Sequence, residues 1–218
     1  MVNREEIKYS AEVKCKANSN RLALIYFIYM LIVGTTSITL GEKGDGLYEL
    51  TVSITGVLGL ILTGPMTYGI VNVTKINYNG ICPEVNSLFE GFKYFGKLVV
   101  LNLLIGLYTF LWSLLLIIPG IIKGFSYSFA YYIFLDNPEL SPNECIEKSK
   151  EITNGYKAEI FFLNLSYIGW IILCVLTLGI LELWVGPKIE TANYELYLIA
   201  SGKKNRILET EFEKDFYD

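Results

Sequence analysis

The sequence predicts an all-α membrane protein with six transmembrane helices. These helices form three helical hairpins, each preceded by a short amphipathic helix on the cytoplasmic side. Two observations predict this class. Of the 218 residues, 52% are hydrophobic and only 18% are charged, whereas about a quarter of the residues of a soluble domain are charged. The apolar residues also come in blocks of about 20, the helix length that crosses roughly 30 Å of hydrocarbon.

Six apolar blocks supply the predicted spans, which are residues 22–40, 50–73, 98–118, 119–135, 160–181 and 183–200. The stretch from 99 to 135 is too long for one span and about right for two. We therefore expect Pro119-Gly120 to form the turn of a hairpin, with the proline in the first helical position, where its missing N–H would have no helical partner. The sixth block is the most polar one.

Basic residues set the expected orientation, because cytoplasmic loops carry an excess of Lys and Arg. All 18 basic residues except Lys43, Lys123 and Lys188 lie before span one, between spans two and three, between spans four and five, or after span six. We therefore expect a multi-pass protein of the cell membrane with both termini in the cytoplasm. About 20 mostly polar residues precede the first apolar block, which argues against a cleaved signal peptide.

Three segments beside the spans have the pattern of short amphipathic helices that lie in the membrane interface. Ser141 and Glu144 form a capping box with Pro142 at the first helical position, so we expect a helix from Ser141 to about Asn154. Its apolar face is Cys145, Ile146, Ser149 and Ile152. Pro83 opens a second segment with the stripe Val85, Leu88, Phe89, Phe92 and Phe95. Residues 3–18 have the thinner stripe Ile7, Ala11 and Cys15.

The same pattern recurs along the chain, which predicts an internal repeat inside a single membrane domain, 1–218. GFKYFGKLVVLNLLIG from Gly91 resembles GYKAEIFFLNLSYIG from Gly155. The approximate repeats are 3–78, 82–136 and 141–200, and each reads as an interfacial helix, a span, a Pro/Gly break and a second span. Residues 201–218 form a charged cytoplasmic tail. Since every copy starts in the cytoplasm, the repeats are parallel rather than inverted.

Polar side chains inside the spans are the candidate site, because a charge at membrane depth is costly and needs a reason. The candidates are Lys123, Tyr127, Glu182, Lys188, Glu190, Asn193 and Glu195. Lys188, Thr191 and Glu195 share one helical face by their spacing. Two interpretations remain open. The polar patch faces the bundle interior or a water-filled cavity and binds a cationic or polar ligand, or the charges form structural ion pairs between helices.

Three residues have specific expected partners. Lys123 lies near the outer surface, where it either reaches water or pairs with Glu182. Asn102 and Asn164 occupy matching positions in the repeats, and either could hydrogen-bond across helices.

Several function classes are excluded by what the sequence lacks. It has no histidine, and its four cysteines are isolated, so Ser-His or Cys-His catalysis and the usual zinc sites are not expected. It has no phosphate-binding loop and no GxSxG or HExxH motif. The net charge of −4 gives no basic surface for nucleic acid. We expect no enzyme activity, no cofactor and no metal site.

The run SYSFAYYIFLDNPELSPNECIEKSKEITNGYKAEIFFLNLSYIGW, followed by LTLGILELWVGPKIETANYELY, resembles a bacterial integral membrane family known as domain of unknown function 975 (DUF 975). The resemblance covers roughly residues 3–200 and is best after Leu114. The family pattern usually has an aromatic residue after the last proline, where this chain has Lys188. The resemblance implies a multi-pass membrane protein and leaves the function open.

Two functions follow as hypotheses. The first is an accessory factor of the bacterial cell envelope that binds membrane lipids, a membrane-active peptide or another membrane protein. The second is a small permease or channel that uses the polar sixth helix. If Glu190 and Glu195 line a solvent-connected cavity, the permease hypothesis is favoured. If they are buried and paired, the hypothesis of an accessory role is favoured.

Overall fold

The structure is a computed structural model, and it describes residues 3–35 and 46–204. Throughout these residues the chain forms helices, turns and short loops without any β-strand. The predicted all-α class is therefore confirmed for the described part of the chain. The expected outer turn around Lys43 and the tail after Lys204 lie outside it.

Ten α-helices and one 3₁₀ helix make up the part of the fold that the structure describes. In chain order they are α1 (Arg4–Lys16), α2 (Ser19–Thr35), α3 (Gly46–Tyr78), the 3₁₀ helix (Val85–Tyr94), α4 (Phe95–Leu115), α5 (Ile117–Tyr127), α6 (Ala130–Asp136), α7 (Pro142–Ile152), α8 (Lys157–Leu165), α9 (Ile168–Leu176) and α10 (Glu182–Ala200).

Fewer helices than expected have the length and composition of a membrane span. Among the described residues, the continuous helical run Val85–Leu114 passes both criteria by itself. The pair α8 and α9 passes only when it is counted as one span bent by 42°. The apolar helix Ser19–Val33 is shorter than a span. The sequence predicts six spans, and one or two of the described helices are long and apolar enough to be a span.

Local features explain why the later helices lack the length or composition of the predicted spans. Residues Ser128 and Phe129 interrupt the predicted fourth span and divide it into α5 and α6. The predicted sixth span, α10, carries three acidic residues and Lys188. Gly64-Pro65 and Gly186-Pro187 were expected at helix boundaries or kinks, and each pair lies inside a helix without a break, in α3 and α10.

Helices α4 and α5 form an antiparallel hairpin, but its turn lies earlier than predicted. The extended residue is Leu116, with φ −161°, and Pro119 lies in the first turn of α5 rather than at its first position. An N–H group in the first turn of a helix has no intrahelical acceptor, so the missing N–H of Pro119 costs no helical hydrogen bond at this position. A Cβ on Gly120 would lie 2.2 Å from Ser113 Oγ, so glycine is needed where the two helices approach each other.

The 3₁₀ helix and α7 each run back along the helix that precedes them. A Cβ on Gly69 in α3 would lie 1.9 Å from the carbonyl oxygen of Leu88, so the 3₁₀ helix contacts the α3 backbone directly. On α7, Ser149 Oγ donates to the carbonyl oxygen of Ser126 at 2.9 Å and accepts from the N–H of Phe129. The expected helix after Ser141 is confirmed, with both hydrogen bonds of the capping box present.

Helix α1 packs on the protein through the stripe that the sequence predicts. Ile7, Ala11 and Cys15 are all buried, and they face α10 and the end of α3. Lys14 Nζ donates to the carbonyl oxygen of Tyr78 at 3.0 Å. The thin apolar stripe therefore makes protein contacts, whereas the opposite face is exposed and includes Tyr9 and Val13.

The bundle has two unlike ends. At the packed end, which comprises α1, α6, α7, the 3₁₀ helix and the second halves of α3 and α10, most of the aromatic and aliphatic side chains are buried. At the apolar end, which comprises the second half of α4, the start of α5, α9 and the turn before α10, large apolar side chains are exposed. Leu178 in that turn is 92% exposed.

Candidate functional site

A pocket of about 370 Å³ lies between α3, α5, α6, α8 and α10, at the border between the two ends. Its lining comprises Thr67, Val71, Gly124, Phe125, Ser128, Phe129, Tyr131, Tyr132, Ile160, Asn164, Glu190 and Asn193. Two of the predicted site residues, Glu190 and Asn193, meet here because one helical turn of α10 separates them. Among these lining residues Glu190 is the single charged one.

Glu190 has an unusual set of partners for a carboxylate inside a helical bundle. Its Oε1 accepts a hydrogen bond from the Tyr132 hydroxyl at 2.5 Å. The ion pairs of the described residues do not include Glu190. This carboxylate is therefore held by a neutral donor beside an open space.

Amide side chains connect the helices around the pocket. Asn164 Nδ2 donates to Asn193 Oδ1 at 3.4 Å, which joins α8 to α10. Asn102 Nδ2 donates to the carbonyl oxygen of Leu60 at 3.1 Å, and its Oδ1 accepts from the Tyr131 hydroxyl at 3.0 Å. The expectation that either asparagine bonds across helices is thus met by both of them.

The shared face of Lys188, Thr191 and Glu195 is turned toward α1 and the chain after α10. Lys188 Nζ is 3.1 Å from Glu12 Oε1, and Thr191 Oγ1 is 3.3 Å from Cys15 Sγ. Glu195 is buried, and its Oε1 is 2.5 Å from Lys204 Nζ. These two ion pairs agree with the structural interpretation of the polar sixth block.

Lys123, Tyr127 and Glu182 lie away from the pocket. Lys123 Nζ is 4.6 Å from the centre of the Trp112 ring, whereas the expected partner was Glu182. Glu182 instead lies beside Cys174. The hairpin turn explains the correction, because it brings Trp112 of α4 beside the first turns of α5 and supplies an aromatic face for the ammonium group.

Tyr127 is buried against neighbouring aromatic and basic side chains. Its ring centre is 6.2 Å from that of Tyr108, and Lys150 Nζ is 5.7 Å from the Tyr127 ring centre. The residue is therefore part of the packing between α4, α5 and α7 rather than part of the pocket wall.

A cluster around Asp136 was missed at the sequence level. Its Oδ1 is 2.8 Å from Lys75 Nζ, and its Oδ2 accepts hydrogen bonds from Lys203 Nζ and, at 2.7 Å, from the Tyr197 hydroxyl. Burial opposes ionisation of Asp136, but the hydrogen bonds from the two lysines and the tyrosine outweigh it and hold the pKa of this carboxyl below its usual value. An acidic residue at the end of an apolar block was the available signal.

Metal and thiol chemistry find little support in the described part of the chain. No group of three or more Cys, Asp or Glu residues there could hold a metal ion. Cys145 is buried in α7, and this burial raises the pKa of its thiol to about 11, which keeps the sulfur protonated and poorly nucleophilic.

Residues 114–204 match the model of a family described as "Protein of unknown function (DUF975)". The resemblance inferred from the sequence is therefore confirmed over this part of the chain. No curated protein and no solved structure matches the chain. The matched region contains α5 to α10, and so it includes Glu190, Asn193 and most of the pocket wall.

Proposed function

We propose that this protein is a multi-pass integral membrane protein of the bacterial cell membrane, and that it acts as an accessory factor which binds a lipid, a membrane-active peptide or another membrane protein. The apolar end lies in the bilayer. The packed end lies at the cytoplasmic interface together with both termini.

The exposed apolar surface is the observation that carries this proposal. Along α4 the side chains of Leu103, Leu107, Phe110, Leu111 and Leu114 are exposed, and α9 exposes apolar side chains around most of its circumference. Monomeric soluble proteins rarely expose contiguous apolar patches larger than a few hundred Å². A hydrocarbon environment removes the cost of this exposure, since lipid tails solvate Leu and Phe as a protein core does.

Contacts between distant segments support the orientation. The segments that the charge distribution assigns to the cytoplasm lie beside one another at the packed end. Arg21 Nε donates to the carbonyl oxygen of Pro83, and Lys97 Nζ donates to that of Pro138 at 2.8 Å. Lys75 and Lys203 share Asp136. The packed end thus collects basic residues from three of these segments, and Asp136 and Pro138 of the fourth accept hydrogen bonds from them.

Labelling of introduced cysteines in intact cells tests the membrane placement. We expect a membrane-impermeant maleimide to label Gly44→Cys from outside and to label Asn205→Cys only after the cells are lysed. The parent protein, with its four natural cysteines, is the control for background labelling. Labelling of position 205 in intact cells would reverse the orientation, and recovery of the protein in the aqueous fraction after carbonate washing would refute the membrane proposal.

A permease is the second candidate, and the pocket beside Glu190 is the observation that favours it. Glu195, in contrast, is buried and paired with Lys204, which favours the accessory role. Reconstitution into vesicles separates the two functions. A permease is expected to exchange its ligand across the vesicle membrane and to lose this activity in Glu190→Gln, whereas an accessory protein leaves the vesicles sealed.

A further inference from the structure

We infer that the pocket beside Glu190 binds a small organic cation, with an ammonium group against the Glu190 carboxylate and an apolar body against the aromatic wall. The inference rests on the membrane-embedded binding role proposed above and names the class of ligand for it. The argument has three parts, which are the charge of the pocket, the chemistry of its wall and the space inside it.

The charge of the pocket is unbalanced. Two other carboxylates of the bundle interior have basic partners within the chain: Asp136 has Lys75 and Lys203, and Glu195 has Lys204. Glu190 has the Tyr132 hydroxyl instead. An ionised carboxylate away from water is costly unless a cation accompanies it, and an ammonium ligand supplies that cation in the place that lysine takes elsewhere in the bundle.

The chemistry of the wall favours an organic ammonium ion over a metal ion. Four aromatic rings line the pocket, from Phe125, Phe129, Tyr131 and Tyr132. Aromatic faces attract ammonium groups through their quadrupoles. Calcium and magnesium require six or more oxygen ligands in defined positions, whereas the single carboxylate here is joined by scattered hydroxyl and amide groups.

The space in the pocket suits a molecule of a few carbon atoms rather than a bare ion. Its volume of about 370 Å³ is near the lower end of the range for small-molecule sites. At Gly124, which lines the pocket, an added Cβ would meet no atom within 4 Å. The first carbon of a larger side chain at this position therefore meets open space rather than a neighbouring atom.

Thermal unfolding of the purified protein in detergent provides the test, with benzylammonium as the probe and benzyl alcohol as its neutral analogue. We expect benzylammonium chloride to raise the melting temperature in proportion to the logarithm of its concentration above the dissociation constant. Benzyl alcohol and sodium chloride at the same concentration should leave the melting temperature unchanged.

Two pairs of variants locate the effect. Glu190→Gln removes the charge, and Glu182→Gln makes the same change on the same helix outside the pocket. Gly124→Leu fills the pocket and keeps Glu190, and Gly106→Leu adds the same bulk on α4, where a Cβ also meets open space. We expect about tenfold or greater weakening of benzylammonium binding in Glu190→Gln and Gly124→Leu, and unchanged binding in the two controls.

Other outcomes overturn the inference. Equal stabilisation by benzyl alcohol would mean that the pocket takes apolar molecules without regard to charge. Glu190-dependent stabilisation by sodium chloride would make it an inorganic ion site. Unchanged benzylammonium binding in both Glu190→Gln and Gly124→Leu, or no binding by the parent protein, would also refute it. If the protein stays in the membrane fraction but fails these binding tests, the cation site is refuted and the proposed membrane role is retained.

Discussion

The two ends of α4 show how differently the same residue type is used in this protein. Leu98 and Leu101 at its start are fully buried, whereas Leu107 is 51% and Leu114 is 74% exposed. The first half is covered by α3 and α7, and Asn102 adds hydrogen bonds to Leu60 and Tyr131. The second half packs on α5 along one side only.

This contrast indicates that the two ends are built for different surroundings. At the packed end, tertiary contacts remove apolar side chains from water, and ion pairs such as Asp136 with Lys75 connect distant segments. At the apolar end, the side chains are equally apolar but meet few protein atoms. Substitutions of the same kind should therefore have large effects at one end and small effects at the other.

The largest difference is expected between two leucines of α4. Leu101→Ala removes a fully buried side chain, and we expect a loss of about 2–5 kcal/mol in the free energy of unfolding. Leu111→Ala, at a site 47% exposed, should cost less than about 0.5 kcal/mol. Titration of the protein from mild detergent into sodium dodecyl sulfate measures both. Equal losses at the two positions would contradict the division into two ends.

The next largest effect is expected at Asp136. Asp136→Asn removes the negative charge and one of the two acceptor oxygens that Lys75, Lys203 and Tyr197 share. We expect a loss of about 2–3 kcal/mol, less than for a fully buried pair because both lysines are a third exposed. Glu139→Asn, at an exposed site nearby, is the control and should change stability by less than about 0.5 kcal/mol. If both variants have the same free energy of unfolding, the Asp136 cluster does not contribute to the stability of the packed end.

Two glycines give a third comparison. Gly69→Ala forces a methyl group to within 1.9 Å of the Leu88 carbonyl oxygen unless the 3₁₀ helix moves, and we expect a loss of about 1–3 kcal/mol. Gly106→Ala meets open space inside α4 and should be neutral or gain up to about 1 kcal/mol, because alanine favours the helix. The same titration measures both, and a stable Gly69→Ala protein would show that the contact between α3 and the 3₁₀ helix is loose.

The smallest effect is expected at the start of α7. Ser141→Ala removes the side-chain oxygen that accepts from the N–H of Glu144, and we expect a cost of about 1 kcal/mol in local helix stability. Hydrogen exchange of the first α7 amides measures it. Ser141→Asn retains a capping side chain and serves as the control, so exchange as fast in Ser141→Asn as in Ser141→Ala would argue against a role for the cap.

Much of the local structure could be predicted, because it depends on residues close together in the chain. The capping box of α7 and the buried stripe Ile7, Ala11 and Cys15 were both expected from spacing. The site was predicted only in part. Glu190 and Asn193 do line one pocket, whereas Lys123 contacts Trp112 instead of Glu182.

By itself, the sequence determined the helical class, the caps and the apolar faces, since helix periodicity and capping act within one or two turns. The tertiary structure alone decided which charges meet. Lys188 pairs with Glu12, 176 residues away, and Asp136 joins Lys75 and Lys203 across 61 and 67 residues. It also decided that Glu190 remains beside an open pocket with a tyrosine as its partner. These pairings depend on which distant helices become neighbours, and side-chain spacing along one helix contains no record of that choice.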